Sequence, residues 1–281
     1  MNSLRLAFTI LIFLALAGTG NYMFKRFEES MVFFPDKYPL GNWNPENTAD
    51  LIPEDVYFID DSSNQLHGWF FKEETSKTTL LFFHGNAGNL SGRYDWALDL
   101  FRLKINVFII DYPGYGKSDG RPSEQGLYDS AAAALKHLEE KFSIGKENII
   151  LYGKSLGGVP ATYLAEKHQG FKGLILQSTF TNAKEMSSRV LPIPMIEKFL
   201  SLSLNTLKRI ARVQTPVLII HSRDDEMIPF EMAERLYQAA GYPKYLKLFD
   251  GAGHNDLIHI HKHKLLLDIK AFIAKSDGEK R

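Results

Sequence analysis

The stretch that decides the fold is Gly153-Lys154-Ser155-Leu156-Gly157, which directly follows an apolar run at residues 148–152. A short β-rich run that ends in Gly-x-Ser-x-Gly and continues into a helix-forming segment is typical of a strand, a sharp turn and a helix. Such a turn is strained, and its glycines allow close backbone approach while the serine oxygen stands above the sheet. The first amides of the following helix point at the place where negative charge forms. Ser155 is therefore a candidate nucleophile.

A serine hydroxyl is a weak nucleophile at neutral pH, so this hypothesis requires a base and an acid that orients the base. Enzymes built around such a turn carry the acid and then the histidine downstream of the serine. Two further buried-strand patterns occupy residues 216–221 and 245–249. The first leads into Asp224 and Asp225, and the second leads through two glycines to His254. Both groups follow the carboxyl ends of strands, where open α/β sheets build their sites. His254 is the predicted base.

The motifs of this chain resemble those of the α/β-hydrolase superfamily, and within it the membrane-anchored, short-cap hydrolases often labelled serine-aminopeptidase-like. The resemblance covers residues from about 56 to 274 and includes His84-Gly85-Asn86-Ala87-Gly88-Asn89, Asp111 to Ser118, the serine turn and the Gly-His-Asn-Asp segment. The family's acid loop reads His-Gly-x-x-Asp-x-x-Val-Pro. Matching it to this chain implies Asp225 as the catalytic acid and leaves Asp224 as the rival, while Ser222 stands where the family usually has glycine.

The resemblance implies an α/β fold with a mostly parallel, eight-stranded sheet, helices on both faces and a short cap. It also implies a serine hydrolase that works through an acyl-enzyme intermediate. We expect neither a cofactor nor a metal, and the charges of the cap, described below, favour a carboxylic ester as the substrate. Ser155 would attack the carbonyl carbon, His254 would move the proton, and Asp225 would orient the imidazole. The general template makes the backbone amide of Leu156 one oxyanion donor, and the family resemblance makes the amide of Asn86 the second.

Each of these residues also has a purely structural interpretation. A serine between glycines, or His254 after Gly253, can serve a tight turn alone. Three groups in the required order at strand ends, beside an otherwise unexplained His84-Gly85 loop, favour catalysis instead. His84, Asp111 and Tyr115 themselves are expected to hold loops rather than to touch a substrate.

Composition indicates one large catalytic domain. The chain has 281 residues, 44% of them hydrophobic, a formal net charge of zero and no cysteine. Zero net charge gives no reason to expect a nucleic-acid partner, and the absence of cysteine excludes disulfides. Strand patterns alternate with helix patterns, as a parallel sheet requires. The predicted strands are residues 55–61 and 65–72, which form a hairpin, 79–83, 106–110 and 172–177, and the predicted helices are 94–103 and 123–142.

The C-terminal histidines suggest a metal site as an alternative. Apolar residues between 257 and 273 predict one amphipathic helix, on which His259 and His263 share a face. The chain has no His-Glu-x-x-His motif and no cysteine, so we expect these histidines to be solvated positions on the last helix.

The N-terminus is predicted to be a separate unit. Residues 6–24 carry no charge, and a helix of this length would span about 28 Å, close to the hydrocarbon thickness of a bilayer. We therefore predict a membrane anchor with its flank at residues 1–27 and a catalytic domain at residues 28–281. A cleaved secretory signal is the alternative, with Ala15-Leu16-Ala17 as a cleavage site and a secreted or periplasmic product. The positive charges on either side are close in number, so the orientation stays open.

The predicted cap at residues 179–210 bears on the substrate. Pro192 and Pro194 prevent a continuous helix there, and the apolar side chains either line an acyl pocket or pack on the core. Recognition of a peptide amine would require paired carboxylates, whereas Glu185 and Glu197 stand among five basic residues, Lys184, Arg189, Lys198, Lys208 and Arg209. This balance favours a small-molecule or lipid ester. A serine peptidase, a thioesterase and a non-catalytic binding protein on the same fold remain alternatives.

Overall fold

The computed structural model describes residues 20, 22–43, 51–190 and 200–278. The predicted membrane segment at 6–24 lies almost entirely outside this part of the chain, and so does the centre of the predicted cap at 191–199. Within the described part, no helix combines the length and the apolar character that crossing a bilayer requires. The boundary between anchor and catalytic domain stays a prediction.

The strands fall into a large central sheet and a small two-stranded one. In chain order they are β1 (Phe34–Pro35), β2 (Glu54–Ile59), β3 (Gln65–Phe71), β4 (Thr79–Phe83), β5 (Ala87–Gly88), β6 (Asn106–Ile110), β7 (Ile149–Lys154), β8 (Gly173–Gln177), β9 (Val217–Ser222) and β10 (Lys244–Phe249). The central sheet has eight strands in the order β10-β9-β8-β7-β4-β6-β3-β2. Only β2–β3 and β3–β6 pair antiparallel in it, so the predicted mostly parallel sheet and its opening hairpin are confirmed.

The central strands are long apolar runs because helices cover both faces of the sheet. Every residue of β4, β6, β8 and β9 is buried. The edge strand β2 instead shows alternation towards its end, with Val56 and Phe58 buried and Tyr57 and Ile59 exposed. This difference follows from position, since an edge strand at the antiparallel end has one face in water.

Helices pack on both faces of the sheet. In chain order the helices of the described residues are α1 (residues 22–32), α2 (Tyr94–Phe101), α3 (Glu124–Lys141), α4 (Gly158–Lys167), α5 (Ala183–Val190), α6 (Thr206–Ile210), α7 (Phe230–Ala239), α8 (Leu257–Ile260) and α9 (Lys262–Gly278). Helices α3, α4 and α7 contribute to one buried core, and α2, α8 and α9 contribute to the other. The predicted start of α3 is confirmed, because the Ser123 hydroxyl accepts a hydrogen bond from the Gly126 N–H at 2.9 Å.

The segment after the predicted anchor is tied to the loop that follows β4. Strand β1 pairs in parallel with β5. The Phe34 N–H donates to the Asn86 carbonyl at 3.0 Å, and the Asn86 side chain donates back to the Val32 carbonyl at 3.0 Å. Farther back, the Glu28 carboxylate accepts the Ser201 N–H at 2.8 Å. The N-terminal segment therefore contacts both the edge of the candidate site and the end of the cap region.

The predicted single helix over 257–273 is wrong in one respect, because it is broken into α8 and α9 at His261. The His261 Nε2 lies 2.7 Å from the Asp250 carbonyl oxygen and ties the break to the loop after β10. His259 consequently lies in α8 and His263 in α9, so the two side chains do not share one turn of a continuous helix.

Candidate active site

Ser155 stands at the tip of a turn that joins β7 to α4. A short 3₁₀ turn at Ser155–Gly157 connects the two elements, and Ser155 has a φ of 53°. A non-glycine residue in this left-handed region typically costs about 1–3 kcal/mol and persists only where its surroundings enforce it. Here the Thr179 hydroxyl donates to the Ser155 carbonyl at 2.7 Å and holds the strained peptide.

The two flanking glycines are required by close backbone approach. A Cβ on Gly157 would lie 2.0 Å from the Phe83 carbonyl oxygen of β4, and a Cβ on Gly153 would lie 2.4 Å from the Gly157 carbonyl oxygen. Both contacts are with backbone, which does not move aside easily. The two glycines of the motif are therefore required for steric reasons, as the sequence pattern predicted.

The structure brings the three predicted side chains into one line of contacts. His254 Nε2 lies 3.1 Å from Ser155 Oγ, and His254 Nδ1 lies 2.8 Å from Asp225 Oδ2. All three residues are buried. They follow the carboxyl ends of β7, β9 and β10, so the sheet alone places them at a common edge.

Asp225 is held as a carboxylate by its own loop. Its Oδ1 accepts the N–H groups of Met227 at 3.0 Å and Ile228 at 2.7 Å. Burial of the carboxyl acts to raise its pKa, but the hydrogen bond and charge of His254, together with the Ile228 N–H, outweigh burial. The pKa of Asp225 therefore lies below its ordinary value. An ionised Asp225 accepts the Nδ1–H of His254 and leaves the Nε2 lone pair facing the serine.

The neighbouring acids have different partners. Asp224, the rival acid, accepts the Gly251 N–H through Oδ2 at 2.6 Å and makes no hydrogen bond to the His254 ring. Glu226 accepts the backbone N–H of His254 at 3.0 Å. Both carboxylates thus connect the loop after β9 to the loop that carries His254, and they fix where the histidine backbone lies.

His221 supports the acid loop and was not singled out from the sequence. This buried histidine donates from Nε2 to the Ile228 carbonyl at 2.8 Å, and the same nitrogen lies 3.4 Å from Asp225 Oδ2. Burial lowers the pKa of His221, so its ring is neutral at neutral pH. Its place at the first position of the acid-loop motif, four residues before Asp225, is the signal that could have found it.

The candidate oxyanion loop is fixed from several sides. The Asn86 carbonyl accepts from the Tyr115 hydroxyl at 2.7 Å as well as from Phe34. The Tyr112 hydroxyl donates to the His84 carbonyl at 2.7 Å. Gly85 lies against the nucleophile, since a Cβ built on it would be 3.6 Å from the Ser155 Cβ. The Asn86 side-chain amide donates to the Val32 carbonyl and is therefore engaged with the N-terminal segment.

His84 and Asp111 anchor this loop from within. His84 Nε2 lies 3.1 Å from Asp111 Oδ1, which also accepts the Leu90 N–H at 2.8 Å. Both side chains are fully buried. Their contacts are with the loop itself, in agreement with the structural role expected for them. Among the described residues, no group of three histidine, cysteine or acidic side chains is arranged to hold a metal ion.

Comparison with known proteins supports the same architecture. A family model for the alpha/beta hydrolase fold matches residues 78–200, and one described as Serine aminopeptidase, S33, matches residues 182–259. The alpha/beta hydrolase domain-containing protein WAV2 of Arabidopsis thaliana is 33% identical over 233 residues, which are 76% of each chain. The chain belongs to the α/β-hydrolase superfamily. The uncharacterized protein Rv2307c of Mycobacterium tuberculosis is 31% identical over 275 residues, which are 96% of each chain.

Solved structures of α/β hydrolases share the fold. The Pyrococcus furiosus esterase Pf2001 superposes with a TM-score of 0.72 at 18% identity, covering 87% of this chain and 97% of the esterase. The acylaminoacyl peptidase of Pyrococcus horikoshii superposes with a TM-score of 0.63 at 16% identity, covering 84% of this chain and 44% of the peptidase. One fold thus carries ester and peptide hydrolysis, and the choice for this superfamily member depends on its own residues.

Proposed function

We propose that this protein is a serine hydrolase that cleaves a carboxylic ester through an acyl-enzyme intermediate. The observation that supports it most is the line of contacts from Ser155 Oγ through His254 to Asp225. Ser155 Oγ attacks the carbonyl carbon while His254 Nε2 takes the hydroxyl proton. The tetrahedral intermediate then collapses, His254 gives the proton to the leaving alcohol, and the acyl group stays on Ser155. A water molecule then attacks the acyl-enzyme while His254 Nε2 takes its proton. The second tetrahedral intermediate collapses, His254 returns this proton to Ser155 Oγ, and the carboxylic acid is released.

The oxyanion of each tetrahedral intermediate requires donors in fixed positions. We assign this role to the backbone N–H groups of Leu156 and Asn86. Leu156 lies in the turn at the start of α4, where the helix dipole also favours negative charge. The second assignment is supported by the Gly85 carbonyl, which is in the same peptide group as the Asn86 N–H and whose oxygen lies 2.7 Å from His84 Nδ1.

An ester fits the cap region better than a peptide with a free amine. The carboxylate of Glu185 accepts from the two terminal guanidinium nitrogens of Arg235, at 2.7 and 3.0 Å, and from the Asn182 side chain at 2.8 Å. Its negative charge is therefore already paired. Glu197, the other acid of the cap, lies outside the described residues. No carboxylate of the described cap is left to receive a substrate ammonium group.

This proposal predicts a clear order of substrates. On purified protein, kcat/KM for short acyl esters should exceed that for aminoacyl aryl-amides with a free amine by about 100-fold or more. The reason is that the ammonium group of such an amide meets no free carboxylate in the described cap. Thioesters of the same acyl groups complete the panel. Glu185→Gln is the matched control, and it should leave the ratio unchanged because Glu185 serves Arg235. Faster turnover of the aryl-amides would contradict the ester assignment.

We further propose that residues 6–24 anchor the protein in a membrane, with a lipid-like ester as the substrate. The uncharged sequence supports this, and so do exposed side chains of α1, which includes residues 22–24 of this segment. Tyr22, Met23 and Phe27 of α1 are 61%, 66% and 60% exposed, and aromatic side chains are favoured at the membrane interface. A cleaved signal, giving a secreted or periplasmic protein, is the competing proposal.

Extraction of membranes with alkaline carbonate separates the two proposals. The full-length protein should stay in the membrane pellet with its N-terminus intact by mass spectrometry. Leu14→Arg should lower the pelleted fraction, because a charge at the centre of a spanning helix costs about 2.5–3.5 kcal/mol. Leu14→Ile is the matched control and should stay in the pellet. Release of a shortened form that lacks residues 1–17 would instead favour the cleaved signal.

A further inference from the structure

A cleft of about 530 Å³ opens beside the candidate nucleophile, between α2 and the segment that follows His254. Lys154, which directly precedes Ser155, lines it together with Asn255, which directly follows His254. Arg93, just before α2, lines the same cleft. Lys154 and Asn255 are the chain neighbours of Ser155 and His254, so the cleft lies next to the backbone that carries these two residues.

Lys154 and Arg93 differ from the other cations of the cleft in having no acidic partner. Among the described residues, Lys154 Nζ has no hydrogen bond and no ion pair within 4.0 Å. Arg93 donates only to carbonyls, to Ala87 at 2.6 Å and to Gly92 at 3.4 Å, and its buried Nε has no partner. The charges of Asp36 and Asp111 influence the pKa of Arg93, and the charge of Asp225 influences that of Lys154. None of these carboxylates lies within 4.0 Å of the cation that it influences.

The cations at the rim are paired in the ordinary way. Arg102 lies 3.3 Å and Lys262 lies 2.7 Å from the two carboxylate oxygens of Asp99. Each of these two cations therefore has an acidic partner, although they share the single negative charge of Asp99. The contrast identifies Lys154 and Arg93 as the pair with capacity for an external anion.

The surroundings of Lys154 make such an anion favourable. Its side chain is half-buried, and burial, with a smaller effect of the Arg93 charge, lowers the pKa of Lys154 to about 8 against the opposing pull of Asp225. A partly buried cation without a close counter-charge is less stable than one in water. An anion placed between Lys154 and Arg93 would compensate both charges at once.

We infer that this cleft binds a phosphate group carried by the substrate, so that the protein acts on phosphate-bearing esters. This inference rests on the proposed function. The Lys154 ammonium group, together with the Arg93 guanidinium hydrogens that are not donated to Ala87 and Gly92, matches the oxygens and the charge of a phosphate. Asn255 adds a side-chain amide at the same wall. Hydrolysis takes place at the carboxylic ester, and the phosphate remains bonded to the alcohol product.

The test compares two esters that differ only in the phosphate, a 1-butanoylglycerol and its 3-phosphate. In the wild type, kcat/KM should be about tenfold or more higher for the phosphate ester, as expected for charge-assisted hydrogen bonds. Lys154→Met and Arg93→Gln should each bring the ratio towards one through KM. Lys154→Arg should retain the preference, and Arg102→Gln should leave the ratio unchanged.

A binding measurement keeps this test independent of turnover and of the proposed function. Calorimetry should detect inorganic phosphate binding to Ser155→Ala, and Lys154→Met introduced into Ser155→Ala should remove it while the thermal unfolding midpoint stays within a few degrees. Phosphate binding without turnover of any ester would contradict the proposed hydrolase function and would still support an anion site in the cleft. If esters are turned over without a phosphate preference, the inference is overturned, whether or not free phosphate binds.

Discussion

Ser155→Ala is expected to lower kcat for every ester substrate by about 10⁴–10⁶-fold and to abolish labelling by a fluorophosphonate probe. The reason is geometric: Ser155 Oγ lies 3.1 Å from the only ring nitrogen of His254 that is not engaged with Asp225. His254→Ala should cost a similar factor. The double variant should be no slower than either single one, because a nucleophile and its base act as a unit.

Ser62→Ala is the matched control for this experiment. Ser62 is exposed in the turn between β2 and β3, and its backbone N–H keeps its bond to Asp60 in the variant. Rate and labelling should equal those of the wild type. A folded wild-type protein that the probe does not label would favour the non-catalytic binding protein, since the fold alone does not fix function. Labelling that survives in Ser155→Ala would reveal another nucleophile.

Much of the architecture was predictable because its signals are local. Strands β4, β6 and β7 each contain an apolar run of four residues, and Ser123 caps α3. The turn at Ser155 is encoded by glycines whose neighbours leave no room for a Cβ. The order of serine, acid and histidine then follows from strands whose carboxyl ends share one edge of the sheet.

What the sequence did not reveal depends on contacts between distant segments. The two-residue strands β1 and β5 have no periodicity to detect, and their pairing depends on Asn86 meeting residues that precede it by more than fifty positions. The break at His261 arises from its bond to Asp250 across a loop. Whether Lys154 and Arg93 form ion pairs depends on the positions of all nearby carboxylates, and no sequence motif indicates those positions.

The second large effect distinguishes the two candidate acids, Asp225 and Asp224, because they have different hydrogen-bond partners. Asp225→Asn should lower kcat by about 10⁴-fold with little change in KM, because the amide removes the charge that stabilises the imidazolium and favours the wrong tautomer of His254. Asp224→Asn should cost less than about fivefold, because its remaining carbonyl oxygen still accepts the Gly251 N–H.

The pair of variants is matched in size and in charge, and only the contact with His254 distinguishes the two residues. Asp225 Oδ2 lies 2.8 Å from His254 Nδ1, whereas Asp224 makes no hydrogen bond to that ring. A large loss in Asp224→Asn with a small one in Asp225→Asn would exchange the two roles. Equal small losses in both would show that the histidine works without a carboxylate, and would count against the proposed triad. Since the lowered pKa of Asp225 keeps it ionised at neutral pH, the measured loss reports the removed charge and not a change in its protonation.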